Sequence, residues 1–336
     1  MAQKVGNQTF VLDRKVYWKE GVCIVGPKEK EGPLGKYFDQ KENEDFGEDT
    51  WEKAEARFVE ATYAKLLAKS QINENMVDCI FAGDLLNQCI ATGNGLKKNG
   101  RPYFGLYGAC STMAESLILA SLLIDGGGVN NAVCLTSSNF ASAEKQFRFP
   151  MELGNQRAPD AQWTVTGAGA CLLSSNNPEE SCPVIVSVTP GKMVDYEVKD
   201  VNNMGAAMAP AAAFTIQAHL SDLNLSPDYY DMIVTGDLGI TGKKLCMEVL
   251  KKNGLDIDMK DCGEMIFDPE KQGTCAGGSG CACSAVVLNG YILRKLREAA
   301  INKVLFVATG ALMSPVSTKQ GESIIGIAHA VSIQNM

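Results

Sequence analysis

Histidine is nearly absent from this chain: His219 and His329 are the only two in 336 residues. A histidine-rich metal site is thereby excluded, and acid–base chemistry would have to lean on very few imidazoles. Basic runs are missing as well. With 31 Lys and Arg against 39 Asp and Glu the formal charge is −8, which argues against a nucleic-acid-binding face. No apolar run approaches the roughly 18–20 residues of a membrane span. The longest candidate, Met204 to Ile216, is alanine-rich and carries Pro210 as a break. The 12 cysteines come without a secretory signal and without regular spacing. They sit singly in apolar segments, as reduced thiols in an intracellular core do. Cys281 and Cys283 form C-x-C with no second motif, so neither zinc nor another metal is expected, and no cofactor motif is present.

What is present is a chain that is 46% apolar and 21% charged, the composition of a globular protein with room for two domains. It is organised around Tyr103 to Gly128. Tyr103 to Tyr107 reads as a buried strand, Gly108 and Ala109 as a turn, and Cys110-Ser111-Thr112 as the start of a helix. That helix is apolar almost all round from Met113 to Ile124, so it belongs in the middle of a protein. Glycines 126 to 128 end it. Unpaired N–H groups at its start would favour a thiolate or a bound carboxylate. Cys110 is equally readable as a plain buried cysteine.

Residues 1–50 read as irregular, with short strand pieces at Thr9 to Leu12 and Val22 to Val25. Asp49 opens a helix from Trp51 to about Lys69, and strands follow at Val77 to Ala82 and Ala132 to Thr136. Ser137 to Asp160 reads as a long polar loop, of a length that is often functional. Trp163 to Ser174 reads as one strand. The remainder then repeats this pattern. Asn73 to Leu85 aligns without a gap on Ser226 to Leu238, sharing Asp78, Ile80, Gly83, Asp84 and Leu85 with Asp231, Ile233, Gly236, Asp237 and Leu238. Ala109-Cys110-Ser111 aligns with Ala282-Cys283-Ser284, Thr136 with Thr309, and Val165 to Gly169 with Ile325 to His329. An insertion between about Lys243 and Gly273 reads as helix plus loop. The chain is therefore read as an internal duplication, with halves at 1–176 and 183–336. Alternating strands and helices imply an α/β fold. Two mixed sheets would enclose the buried helices that follow Cys110 and Cys283.

A duplicated α/β chain with a cysteine at the start of a buried helix resembles the thiolase and ketoacyl-synthase superfamily, whose fold is five-layered αβαβα. The stage V sporulation protein AD family of spore-forming bacteria is more similar still. The resemblance rests on Val25-Gly-Pro-Lys-Glu, Glu31-Gly-Pro-Leu-Gly, Ala82-Gly-Asp-Leu-Leu-Asn-Gln and Gly108-Ala-Cys-Ser-Thr. It rests also on the stretches beginning at Ala143, Gly205, Ala276 and Ala308. It implies a non-enzymatic binder of dipicolinic acid, free or as the calcium chelate, acting with other stage V sporulation A membrane proteins. It implies a place in the forespore, peripheral to the inner spore membrane. A homodimer is implied by the superfamily.

The residues bear on enzyme against binder. A condensing enzyme needs a base beside its cysteine, and losing one member of such a unit costs orders of magnitude in rate. The glycine-rich segment Gly273 to Gly280, where thiolases place a histidine, has none. Gly236-Asp237-Leu238 offers a carboxylate instead, and Gly326 stands near the place of the superfamily's second cysteine. His219 reads as a helix-flank residue and His329 as a core or rim residue. Cys110 is then a vestigial nucleophile, with acyl transfer through it as the alternative.

For a small aromatic dicarboxylate, Cys110, Ser111 and the helix start offer N–H groups, and Lys145 and Arg148 offer charge. Phe147 and Phe149 could face the ring. Asp84 and Asp237, at symmetric strand ends, either order a turn or bond a ligand. Ser138, Asn139 and Cys281 complete the candidate set. In the family a histidine precedes the Ala143 stretch. Here the sequence is Ser137-Ser138-Asn139-Phe140, and asparagine cannot become cationic.

Overall fold

The computed structural model describes residues 1–148, 157–177 and 182–336. The strands of the first half are β1 (Thr9–Val25), β2 (Cys79–Gly83), β3 (Tyr103–Gly105), β4 (Asn131–Ser138) and β5 (Gly167–Ser174). Those of the second are β6 (Val184–Thr189), β7 (Met232–Thr235), β8 (Lys260–Asp261), β9 (Lys303–Leu312) and β10 (Ile325–Gln334). Their lateral order is β8-β7-β9-β10-β6-β1-β5-β4-β2-β3. Strand for strand, the second half mirrors the first about the β6–β1 pair. Each half is mixed: β2 runs parallel to β3 and β4, and β7 parallel to β8 and β9, while the remaining pairs are antiparallel.

The helices that matter are α1 (Trp51–Ser70), α2 (Thr112–Asp125), α3 (Phe140–Phe147), α4 (Met204–Asp222), α5 (Gly239–Lys252) and α6 (Cys281–Val287). α1 packs on β1, β4 and β5, and α4 on β9, β10 and α5. Between them, α2 touches β1, β2 and β4 of its own half and β9 and β10 of the other, while α6 crosses to pack on β4 and β5. This layering explains why the central strands are apolar without alternation. Val133 and Leu135 of β4 face α1 with Val59 and Leu66, whereas Cys134 joins the cluster of Met113 and Leu117 on α2. Both faces are covered, so both must be apolar. The fold is the expected thiolase-like α/β arrangement.

Several local expectations are corrected. The two strand pieces expected at Thr9 to Leu12 and Val22 to Val25 are one strand of 17 residues, flanked by short strands at Gln3–Val5 and Gln40–Lys41. β1 changes partners along its length: Phe10 to Tyr17 pair with β6 and Tyr17 to Val25 with β5, so the two sheets are hydrogen-bonded into one. The charged residues Asp13 and Arg14 sit in the register shift between Val11 and Val16, where the pairing with β6 is interrupted. Their N–H groups are taken by Asp125 Oδ1, each at 2.7 Å.

Tyr103 to Tyr107 is not buried, because β3 is the sheet's edge: Tyr103, Phe104 and Tyr107 are 38%, 53% and 44% exposed. α2 is buried except for a flank that exposes Leu119 and Leu123. Pro210 does not break α4, which runs through it. The loop after β4 contains α3, and Trp163 and Thr164 leave the main sheet to pair with Gly278 and Ser279. The inserted segment is more than helix and loop, since it carries β8 and the short helix Cys262–Ile266. Thr50, not Asp49, caps α1.

Candidate functional site

The turn before α2 is built by its own side chains. Ala109 adopts a φ of 49°, a left-handed conformation that costs a non-glycine residue energy. Ser111 Oγ donates to Gly108 O at 2.6 Å, Thr112 Oγ1 donates to Ala109 O at 2.6 Å, and Gly108 N donates to Thr112 Oγ1 at 3.0 Å. The turn sets Cys110 just ahead of α2, against the start of α6, where Cys281 Sγ donates to Ala109 O at 3.0 Å. Leu85, Cys110, Ala143 and Cys281 pack together there. Gly280 has a φ of 104°, and a Cβ at this position would stand 2.7 Å from Ser138 Oγ, so only glycine brings the two helix starts this close.

Asp237, fully buried, lies beside the Cys110 thiol. Its partners are Thr309 Oγ1, which donates to Oδ1 at 2.7 Å, and Gly280 N, which donates to Oδ2 at 3.0 Å. Burial raises the Asp237 carboxyl to about 7. Burial, then the Asp237 charge and the neighbouring Cys281, push the Cys110 thiol well above its ordinary value. These effects work against the thiolate that the helix start would favour. Loss of water and a facing carboxylate outweigh the few N–H dipoles.

Beside the sulfur lies a narrow cleft shared by the two halves of the chain. Tyr107, Cys110, Phe147 and Arg148 of the first half border it, with Met204 and Met313 of the second. Arg148 Nη1 donates to Glu144 Oε1 at 3.2 Å, and Arg157 Nη2 donates to the same oxygen at 2.7 Å. Arg157 also donates to Gln162 O at 2.9 Å and stacks on Trp163 and Phe140 at 4.8 and 5.1 Å.

Of the candidate residues, the cleft gathers Cys110 and Arg148, with Asp237 and Cys281 directly behind. The others are turned elsewhere. Lys145 pairs with Glu52 at 2.6 Å across α3's opposite side. Asn139 caps α3, accepting from Ala141 N at 2.9 Å, and its Nδ2 donates to Glu44 O at 2.9 Å. Ser138 Oγ donates to Val165 O at 2.7 Å, and Ser111 closes its own turn. Asp84 accepts from Leu86 N, Thr92 N and Thr92 Oγ1 at 2.8, 2.8 and 2.5 Å, ordering the loop after β2. Phe149 lies outside the described residues.

Neither histidine borders the cleft. His219 is buried between Thr189 Oγ1 at 2.7 Å and Tyr230 OH at 2.6 Å, and His329 Nδ1 accepts from Gly191 N at 3.0 Å. Burial lowers both imidazoles to about 4. Sequence reasoning missed Glu144, Arg157, Gln162 and Thr309. Glu144 and Arg157 lie in or beside the polar segment already singled out, but only the fold shows that they meet. Among the described residues no three His, Cys, Asp or Glu side chains converge as metal ligands, and no helix is long and apolar enough to cross a membrane.

Comparison with known proteins gives the family and the fold. The sequence model of the family described as stage V sporulation protein AD matches residues 6–334. A stage V sporulation protein AD of Bacillus subtilis (strain 168) is 43% identical over 329 residues, covering 97% of this chain and 96% of that protein. Among solved structures, 3-oxoacyl-[acyl-carrier-protein] synthase III from Aquifex aeolicus VF5 matches with a TM-score of 0.57 at 12% identity, over 95% of this chain and 99% of that one. A single-residue variant of OleA from Xanthomonas campestris matches with a TM-score of 0.60 at 12% identity, over 96% and 99%. At such identity these two speak for the fold alone.

Proposed function

The chain belongs to the stage V sporulation protein AD family, and on that premise we propose that it binds dipicolinic acid in the Cys110 cleft without catalysing a reaction. The observation that carries this reading is the pairing of Cys110 with Asp237 instead of an imidazole. A protonated thiol facing a carboxylate makes a poor nucleophile, and the neighbouring Arg148 can take a ligand carboxylate through a charge-assisted bond. The apolar lining, with Tyr107, Phe147, Met204 and Met313, suits an aromatic ring. In this reading the protein works in the forespore, at the inner spore membrane, with other stage V sporulation A membrane proteins, and hands on the acid or its calcium chelate. It works as a homodimer, with a second copy adding to the unpaired β3 edge.

Calorimetry with dipicolinate, with and without calcium, tests the binding. Saturable heat is expected, weakened about tenfold or more by Arg148→Ala and abolished by Cys110→Trp, which fills the cleft. Folded protein that gives no heat in either buffer would overturn the reading. Acylation of Cys110 by an acyl-coenzyme A, seen by mass spectrometry, would instead favour acyl transfer.

A further inference from the structure

Two arginines share one carboxylate oxygen at the cleft, and they are held very differently. Arg157 is 10% exposed in its side chain and has three anchors: Glu144 at 2.7 Å, Gln162 O at 2.9 Å, and the Trp163–Phe140 stack. Arg148 is 21% exposed and, among the described residues, has Glu144 alone, at 3.2 Å. Glu144 itself is buried. A buried carboxylate stripped of every cation is strongly disfavoured. Arg148 could therefore leave Glu144 at little electrostatic cost only if another cation stayed behind. Gln162 extends the anchor, because its Nε2 donates to Asp237 O at 2.7 Å and to Gly278 O at 2.8 Å. That ties the fixed arginine to the residue facing Cys110.

We propose that Arg157 is a positioning residue, a resident counter-ion for Glu144 that frees Arg148 to swing onto an incoming carboxylate. The inference rests on the cleft being an anion site, and it adds the device that decides affinity. Glu144 is the built-in competitor, Arg157 neutralises it, and Arg148 is the exchangeable hand. An anion is then bound by swapping one carboxylate for another on Arg148, without stranding either charge.

The test is a double-mutant cycle with dipicolinate as the probe. Arg157→Gln is expected to weaken binding about tenfold although the residue does not border the cleft. Glu144→Gln is expected to tighten it, and the double variant to bind at least as well as wild type. A double variant as weak as Arg157→Gln alone would overturn the proposal. A second readout needs no ligand: the rate at which phenylglyoxal modifies each arginine, followed by mass spectrometry. In wild type Arg148 should react faster than Arg157. In Arg157→Gln the reaction of Arg148 should slow, as Glu144 closes on it, and it should recover in the double variant. A merely loosened structure would speed it instead, and that result refutes the device. Absence of dipicolinate binding in wild type would count against the anion-site reading, while the labelling pattern would still decide whether Arg157 governs Arg148.

Discussion

Asp84 and Asp237 stand at the ends of equivalent strands in nearly the same local sequence, yet they do opposite things. Asp84 spends both oxygens on its own loop, on Leu86 N and on Thr92. In the second half that duty has passed to Asp261, which accepts from Leu238 N at 2.8 Å and from Gly239 N at 2.9 Å. Relieved of its loop, Asp237 reaches across the molecule to Gly280, Thr309 and the Cys110 thiol. Asp261 lies in the inserted segment. With Asp261 ordering the loop after β7, both Asp237 oxygens are left for partners from other segments.

The largest effect should come from removing the loop acceptors. Asp84→Ala and Asp261→Ala each leave several buried donors unpaired and should destabilise by roughly 3 kcal/mol or more, measured by denaturant unfolding. They should differ in one respect: Asp261→Ala should also raise the alkylation rate of Cys110, as Asp237 turns back to its own loop. Next comes Asp237→Asn, which removes the facing charge while keeping the shape. Cys110 alkylation by iodoacetamide near pH 8 should accelerate about tenfold, read by mass spectrometry. An unchanged rate would mean that burial alone silences the thiol.

Smaller still is a pH effect with two opposite limbs. Glu29 is held at about 8 and Asp237 at about 7, both raised by burial. Their contribution to stability is complete below the ordinary carboxylate range and is lost as pH rises through those values. His219 and His329, held near 4 by burial, contribute above their ordinary value and lose it as pH falls from 6.5 to 4. Glu29→Gln should flatten the alkaline limb only, raising Tm at pH 8.5 by roughly 2 °C relative to wild type. The smallest effect should be Lys145→Ala. Its exposed pair with Glu52 should cost within about 0.5 kcal/mol in denaturant unfolding, with no change in dipicolinate affinity, since the side chain faces away from the cleft.

These contrasts also show what the residues disclosed by themselves. The strands at Val77 to Ala82 and Ala132 to Thr136 were legible because strands covered on both faces keep an unbroken apolar run. The turn at Cys110 was legible because it is local. The destiny of Asp237 was not, since its relief by Asp261 and its place beside Cys110 both join distant segments. The same holds for Lys145 and Arg148, neighbours in one polar stretch. Arg148 stands just past the end of α3 in a non-helical conformation, which turns it away from Lys145, and a segment taken for a loop gave no helix end to separate them. Asn139 misled for a related reason: at a helix start its side chain is committed to the backbone.

The strand that passes from one sheet to the other has a consequence for how the chain is made. The first residues of that strand find their partners some 180 residues later, as the Thr9–Thr189 contact marks. Until those partners are made, Thr9 to Val11 is paired on one side only, with Gln3 to Val5, and its other edge is an invitation to non-native pairing. Neither half should mature alone; synthesis of the second releases the first, and the finished protein should melt in a single step.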